Sequence, residues 1–225
     1  AARGLDYAYS PPYLMRWEKG FDGFLFLHDT FGLDESIEPY PYDPDRARAL
    51  LAEAGAAEGL TLHALGARAG SAQLDPGAIY RQMEQNLAAV GIRLKVTLRP
   101  DWVGYCNEWR QGAASGIAFS EMSWAMSSDL WLRQVLHSRN ASPVGFNAGY
   151  ASDPLLDELL DRAAGTLAGA ERLRLYREAG RRVMEELPVL PLLNTRRGMV
   201  ALSVRVKGLV SINQCWHDLR GVDLD

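Results

Sequence analysis

Residues 60–98 read LTLHALGARAGSAQLDPGAIYRQMEQNLAAVGIRLKVTL, and the order of elements in this stretch decides the fold. Leu60, Leu62 and Ala64 alternate with Thr61 and His63, the two-residue period of a half-buried strand. A Gly/Ala/Ser loop follows. Asp75-Pro76 then writes a helix start, with a carboxylate to accept free amides of the first turn and a proline where no amide is needed. Ile79, Met83, Leu87 and Val90 recur at helical spacing as far as Gly91, after which Ile92, Leu94, Val96 and Leu98 alternate with Arg93, Lys95 and Thr97. Strand, helix and strand, with a crossover of this length, predict that residues 60–65 and 92–98 pair in parallel in a right-handed βαβ unit, bridged by a helix from Pro76 to Val90. The fold class is α/β.

Working outward, Asp43-Pro44-Asp45 repeats the helix start. Ala47, Leu50, Leu51 and Ala54 share one face of that helix, and Gly55 is placed for a left-handed cap. Ile117-Ala118-Phe119 reads as a buried strand. Ser152-Asp153-Pro154 opens a helix carrying Leu155, Leu156, Leu159, Leu160 and Ala163, and a further helix carries Leu173, Tyr176, Val183 and Leu187 before Pro188 stops it. Val189–Asn194 and Met199–Val206 have the apolar and β-branched content of strands. Residues 1–42 are rich in aromatics, Gly and Pro without a sustained helical period. They are expected to be strands and loops packed on a lobe built from residues 43–225.

A chain of 225 residues with 48% hydrophobic and 23% charged content can bury a full core. Its net charge of -4 and pI near 5.6, with both signs interspersed, exclude a nucleic-acid partner. The longest apolar runs, such as Phe24–Leu27, fall far short of the roughly 20 residues that cross a bilayer, so no membrane insertion is expected. The sequence starts at Ala1 with neither Met nor an apolar leader, which is expected of a processed chain or a fragment.

Cys106 and Cys215 permit one disulfide, but two separate thiols, at least one of them buried, is the favoured reading. His28, His63, His137 and His217 are isolated. There is no His-x-x-x-His, Cys-x-x-Cys, Gly-x-Ser-x-Gly or phosphate-loop pattern. No metal, cofactor or catalytic residue is expected, and a Cys106 nucleophile with a remote His is only a formal alternative.

The phrase Tyr40-Pro41-Tyr42-Asp43-Pro44-Asp45-Arg46-Ala47, running on through Leu50, Leu51 and Ala54 to Gly55, resembles the "Y-x-Y-D-P-e-K-A-k-x-L-L-x-e-A-G" segment of family 5 extracytoplasmic solute-binding proteins. In the same order come Gln85–Ile92, resembling "q-x-L-x-x-i-G-I", Asp101-Trp102, resembling "e-W", and Asn147–Asp157, resembling "N-x-x-g-y-x-d-p-e-l-D". Glu171-Arg172-Leu173 with Glu185–Leu192 resembles the family's close. The resemblance implies the C-terminal lobe of a periplasmic binding protein type II clamshell, a mixed sheet flanked by helices. It further implies a peptide or small-molecule ligand held against a missing N-terminal lobe, ABC transporter permease subunits as partners, and a periplasmic or extracytoplasmic location. The implied role is the substrate-binding component of an ABC importer, not an enzyme. A solute-sensing module of a regulator built on the same fold is the alternative, and a hydrolase has no motif behind it.

Loops at strand ends are where α/β lobes present binding groups. Trp124, Ser127, Ser128 and Asp129 fall where a strand gives way to a helix. Peptide-binding members of the family carry "g-W-x-x-D-y-x-d-P" here, which implies that Trp124 lines the pocket. The position of the amine-pairing Asp is Ser127, so hydroxyl or carbonyl contacts through Ser127 or Ser128 are expected in place of a salt bridge to a free amine. Trp102 and Arg110 match family positions that can reach the cleft. Trp124 as a core aromatic, and Asp129 as the N-cap of the helix carrying Trp131 and Leu132, remain open alternatives.

Overall fold

The computed structural model of the chain describes residues 31–32, 34, 36–37, 40–68, 76–111, 117, 119–120, 128–189, 203–211 and 217–224. The parallel unit is as expected. Strand β1 (Leu60–Ala67) pairs in parallel with β2 (Ile92–Arg99), Leu60 opposite Ile92 through to Ala67 opposite Arg99. The element following helix α1 (Pro44–Glu53) and β1 is α2 (Pro76–Ala88), which ends two residues before Val90. Helix α3 (Trp102–Arg110) then carries the chain to β3 (Phe119–Ser120), parallel to β1 on its other side, giving the order β2-β1-β3. Of the strand expected over Ile117–Phe119, the pairing with β1 is described at Phe119, opposite Ala64, and Ala118 lies outside the described residues.

Alternation along β1 sends its neighbours to opposite faces. Ala64, with Leu62, Leu94, Val96 and Leu98, packs on Ile79, Tyr80 and Met83 of α2. Leu65 and Ala67 pack on Tyr105 and Trp109 of α3. Residues 64–67 are buried outright because β1 is central and covered on both sides there. The Tyr80 ring lies so close to Gly66 that a Cβ there would sit 2.5 Å from it, and the Tyr80 hydroxyl donates to the Leu65 carbonyl at 3.1 Å. Gly66 is therefore required by a ring, not by a turn.

The second core is helical. α4 (Ser128–Leu136), α5 (Pro154–Gly165) and α6 (Gly169–Glu186) bury Leu132, Leu136, Leu156, Leu159, Leu160, Ala163, Leu175, Tyr176, Ala179 and Val183 against one another. Each large apolar side chain so buried contributes roughly 1.5–3 kcal/mol relative to exposure. Both described Asp-Pro starts cap as expected: Asp43 accepts from the Arg46 amide at 2.8 Å, and Asp153 from the Leu155 and Leu156 amides at 3.0 and 3.3 Å. Asp75 lies outside the described residues.

Three apolar positions are corrected. Leu50 is exposed, and α1 has no buried residue. Leu155 is exposed at the margin of its stripe, one residue and about 100° from Leu156. Leu187 adopts φ 49° at the end of α6, and this left-handed cap leaves its side chain exposed. Past Val189, the strand expected to Asn194 lies outside the described residues, as does most of Met199–Val206. Val206 opens a small antiparallel ribbon, β4 (Val206–Lys207) with β7 (Asp223–Leu224), beside a second, β5 (Val210–Ser211) with β6 (His217–Asp218).

Of the N-terminal 42 residues, those described lean on α4 and α6. Phe31 meets Tyr176 edge to face at 6.1 Å, and Gly32, at φ 103°, passes where a Cβ would be 2.8 Å from the Tyr176 Cβ. The Asp34 carboxylate lies 2.5 Å from the Arg181 guanidinium.

Candidate functional site

The carboxyl ends of β1, β2 and β3 share one edge of the sheet. From β1 the chain leaves through α2 on one face to reach β2. From β2 it leaves through α3 on the other face and crosses to β3. Where neighbouring strands send their chains to opposite sides, a crevice opens outside their carboxyl ends, and α/β folds place ligands there. Trp102 follows β2 at this edge. β3 leads through residues 121–127 to the amino end of α4, with Ser128 and Asp129. Trp124 and Ser127 lie outside the described residues.

Trp102 is the first residue of α3 and half-buried. Its ring sits 5.4 Å from that of Tyr105, against the cluster of Leu65, Ala67 and Trp109. Asp101 caps this helix, accepting from the Gly104 amide at 2.6 Å. Arg110 is the last residue of α3, about 12 Å further along the axis. Its guanidinium lies over the Phe146 ring at 5.1 Å, so α3 holds Trp102 and Arg110 at opposite ends.

The first turn of α4 is tied inward. The buried Ser128 hydroxyl donates to the Phe31 carbonyl. Asp129 is the second residue of α4 and does not serve as its N-cap. Its Oδ1 accepts from the Tyr176 hydroxyl at 2.9 Å and from Arg133 Nε at 3.2 Å. Burial pushes the Tyr176 hydroxyl up, and the Asp129 carboxylate adds to that. Arg133 also reaches Asp161 of α5 at 2.8 Å. Burial works to raise the Asp161 carboxyl, but the Arg133 hydrogen bond and the Arg139 and Arg133 charges outweigh it and hold the group below the usual carboxylate range. Tyr176, Phe31 and Arg133 thus position the α4 terminus. Tyr176 was legible in the sequence only as a periodic core residue.

Asn147, from the resembling "N-x-x-g-y" phrase, is fully buried. Its amide donates to the Ala151 and His137 carbonyls at 2.7 and 3.3 Å and accepts from the Ala151 amide at 2.8 Å. That residue fixes the loop between α4 and α5, which presents Phe146 to Arg110.

Burial pushes the Cys106 thiol up, against the nearby Arg110 charge, the reverse of an activated nucleophile. Cys106 forms no disulfide with a described residue, and Cys215 lies outside them. Among the described residues no group of His, Cys, Asp and Glu could hold a metal, and no helix is long and apolar enough to cross a membrane. A shallow hollow of about 610 Å³ opens at the opposite, amino edge, lined by Glu58, Glu84 and Arg93 among others. Its position is the wrong one for the crevice.

No family model matches the chain. Among curated proteins it is 30% identical over 161 residues to di/tripeptide-binding protein 2 of Pseudomonas aeruginosa (strain UCBPP-PA14), covering 72% of this chain and 30% of that protein. It is 29% identical over 197 residues to the glutathione-binding protein GsiB of Escherichia coli (strain K12), covering 84% of this chain and 38% of that protein. The chain belongs to the family 5 solute-binding proteins. It spans between 30% and 38% of the length of these family 5 relatives. Solved structures share the fold. HbpA2 from Haemophilus parasuis superposes with a TM-score of 0.74 at 20% identity, over 99% of this chain and 44% of that one. A dipeptide-binding protein from Pseudoalteromonas sp. SM9913 in complex with Met-Leu gives 0.74 at 16%, over 100% and 44%. The α/β lobe described above shares its fold with part of these binding proteins.

Proposed function

We propose that this chain is the C-terminal lobe of the substrate-binding component of an ABC importer for peptides or related small solutes, acting outside the cytoplasm and without catalysis. The observation that carries the reading is the likeness to peptide- and glutathione-binding relatives along 72–84% of the chain. In addition, Trp102 follows β2 at the carboxyl edge of the sheet, and the sequence that leaves β3 at that edge leads on to Ser128 and Asp129, which supports the reading. Those relatives' names favour transport over a regulator's sensing module. The ligand-facing group is the stretch Trp124–Asp129 with Trp102. Within it, Ser128 and Asp129 support the backbone of the α4 terminus through Phe31 and Tyr176, while Trp124 and Ser127 face the solute. Arg110 belongs to the Phe146 contact at the far end of α3. A missing N-terminal lobe completes the cleft, and permease subunits receive the closed form.

Calorimetry tests this on the full-length protein and on the chain, with reduced glutathione and a panel of di- and tripeptides. The expected result is binding of at least one solute by the full-length protein and none at micromolar concentration by the chain, because a half-cleft desolvates only one side of a ligand. Tight binding by the chain alone, or turnover of any solute, overturns the reading.

A further inference from the structure

The imidazole of His137 is buried, 3% exposed, just past the end of α4. Asp129, Arg133 and His137 recur at four-residue spacing, so they form one stripe along α4, and Asp157 and Asp161 form a pair one turn apart on α5. The stripe meets the pair. His137 Nδ1 lies 3.3 Å from Asp157 Oδ1, and Nε2 lies 3.3 Å from Asp161 Oδ1. Nδ1 also accepts the Arg139 amide at 3.2 Å, so it carries no hydrogen and the hydrogen of the neutral ring sits on Nε2. Nε2 is buried and forms no hydrogen bond. Each ring nitrogen thus faces a carboxylate, and only the doubly protonated ring can donate to both.

The charged groups gathered around the ring are Asp157 and Asp161 of α5, Arg133 of α4 and Arg139 of the turn Ser138–Asn140. Asp157 is engaged by the Ser138 amide, at 3.0 Å, and by the Ser138 hydroxyl. Asp161 takes Arg139 on Oδ2 and Arg133 on Oδ1 at 2.8 Å, and Oδ1 is the oxygen that faces His137 Nε2. Arg133 is divided, because its Nε donates to Asp129 at 3.2 Å. In this network three carboxylates, Asp129, Asp157 and Asp161, meet two guanidiniums, Arg133 and Arg139, so a neutral ring leaves it one positive charge short. Asp161, held below the usual carboxylate range, stays charged at the pH values where an imidazole ordinarily titrates. We propose that His137 is a proton-operated device: a proton on Nδ1 makes the ring a cation between Asp157 and Asp161, weakens the hold of Arg133 on Asp161 Oδ1, and draws Arg133 onto Asp129 in the first turn of α4. The device concerns α4 itself and stands whether or not a solute binds at its amino end.

Heteronuclear NMR of the chain between about pH 8 and pH 5 tests this, following the His137 ring, the Arg133 Nε–H and the amides of Asp129 and Leu130. The expected result is a single titration step with the same midpoint at all four. His137→Gln, whose side-chain oxygen can still accept the Arg139 amide, should lose the step at Arg133, Asp129 and Leu130. In Arg133→Lys the ring should still titrate while the Asp129 and Leu130 amides stay flat, since one ammonium does not bridge two carboxylates as a guanidinium does. A ring that does not titrate in this range, a ring that titrates with the Arg133 Nε–H unmoved, or a step at Asp129 that survives either substitution overturns the proposal. The parent's titration requires no variant, so it decides the matter even where a variant fails to fold.

Discussion

Arg182 donates to Asp153 at 2.6 Å, and the other oxygen of the same carboxylate caps the amino end of α5. One side chain thus starts one helix and fastens it to the next. Burial works to raise the Asp153 carboxyl, but the Arg182 hydrogen bond and charge and the two amides outweigh it, so the group is held below the ordinary carboxylate range.

The pH consequence follows from that direction. A carboxyl depressed in the folded state contributes stability that is present above its unfolded value near 4 and is lost as pH falls through the folded one. Asp153→Ala should cost about 1 kcal/mol at neutral pH through the lost cap. The gap between variant and parent, read by urea unfolding at a series of pH values, should close as pH drops below about 4. A gap that is constant down to pH 2 would mean that the carboxylate does no ionic work.

Tyr176→Phe removes the 2.9 Å bond to Asp129 and leaves the ring against Phe31. A loss of about 1 kcal/mol is expected in denaturant unfolding, below the usual range for a hydrogen bond to a charged group. The reason is that Asp129 keeps Arg133 and is one-third open to water. Amides of the first turn of α4 should exchange faster while those of α5 keep their rate.

Asn147→Leu should be far more costly. It strands the Ala151 amide and the Ala151 carbonyl at a partly buried site, each at about 1–3 kcal/mol, while the His137 carbonyl keeps the Asn140 amide. Asn147→Asp does little better, since a carboxylate would face two carbonyl oxygens. A thermal melt within a few degrees of the parent for either variant would show that water reaches the loop.

Trp124→Ala in the full-length protein should lower solute affinity by about 1–3 kcal/mol with little change in unfolding, as an anchor aromatic does. A loss of about 3–5 kcal/mol in folding with affinity intact would make it a core residue. Ser127→Asp should favour an amine-bearing peptide over its N-acetylated form only if residue 127 faces the ligand's amino end.

Chemistry confined to a few neighbours was legible in the sequence. Asp43 and Asp153 cap helices with their own next residues, and the parallel pairing of residues 60–65 with 92–98 follows from alternation plus a helical crossover. What depended on distant partners was not. Leu50 has helical spacing, but burial needs a surface to pack on, and α1 has none among the described residues. Asp129 looked like a cap or a ligand contact because its partner Tyr176 lies 47 residues away on α6. Arg110 matched a cleft position, yet Phe146, on a loop fixed by Asn147, takes its guanidinium.

The helical core of α4, α5 and α6 shares no buried residue with either cluster on the sheet. Its members lie between Leu132 and Val183, with α5 and α6 separated by three residues, whereas the sheet depends on bringing Ala64 to Phe119 across 55 residues. Local contacts form early and long-range ladders late. The lobe therefore contains two cooperative units of different contact order. Native-state exchange should show two plateaus of protection, the trio of helices persisting through openings that release β3 from β1.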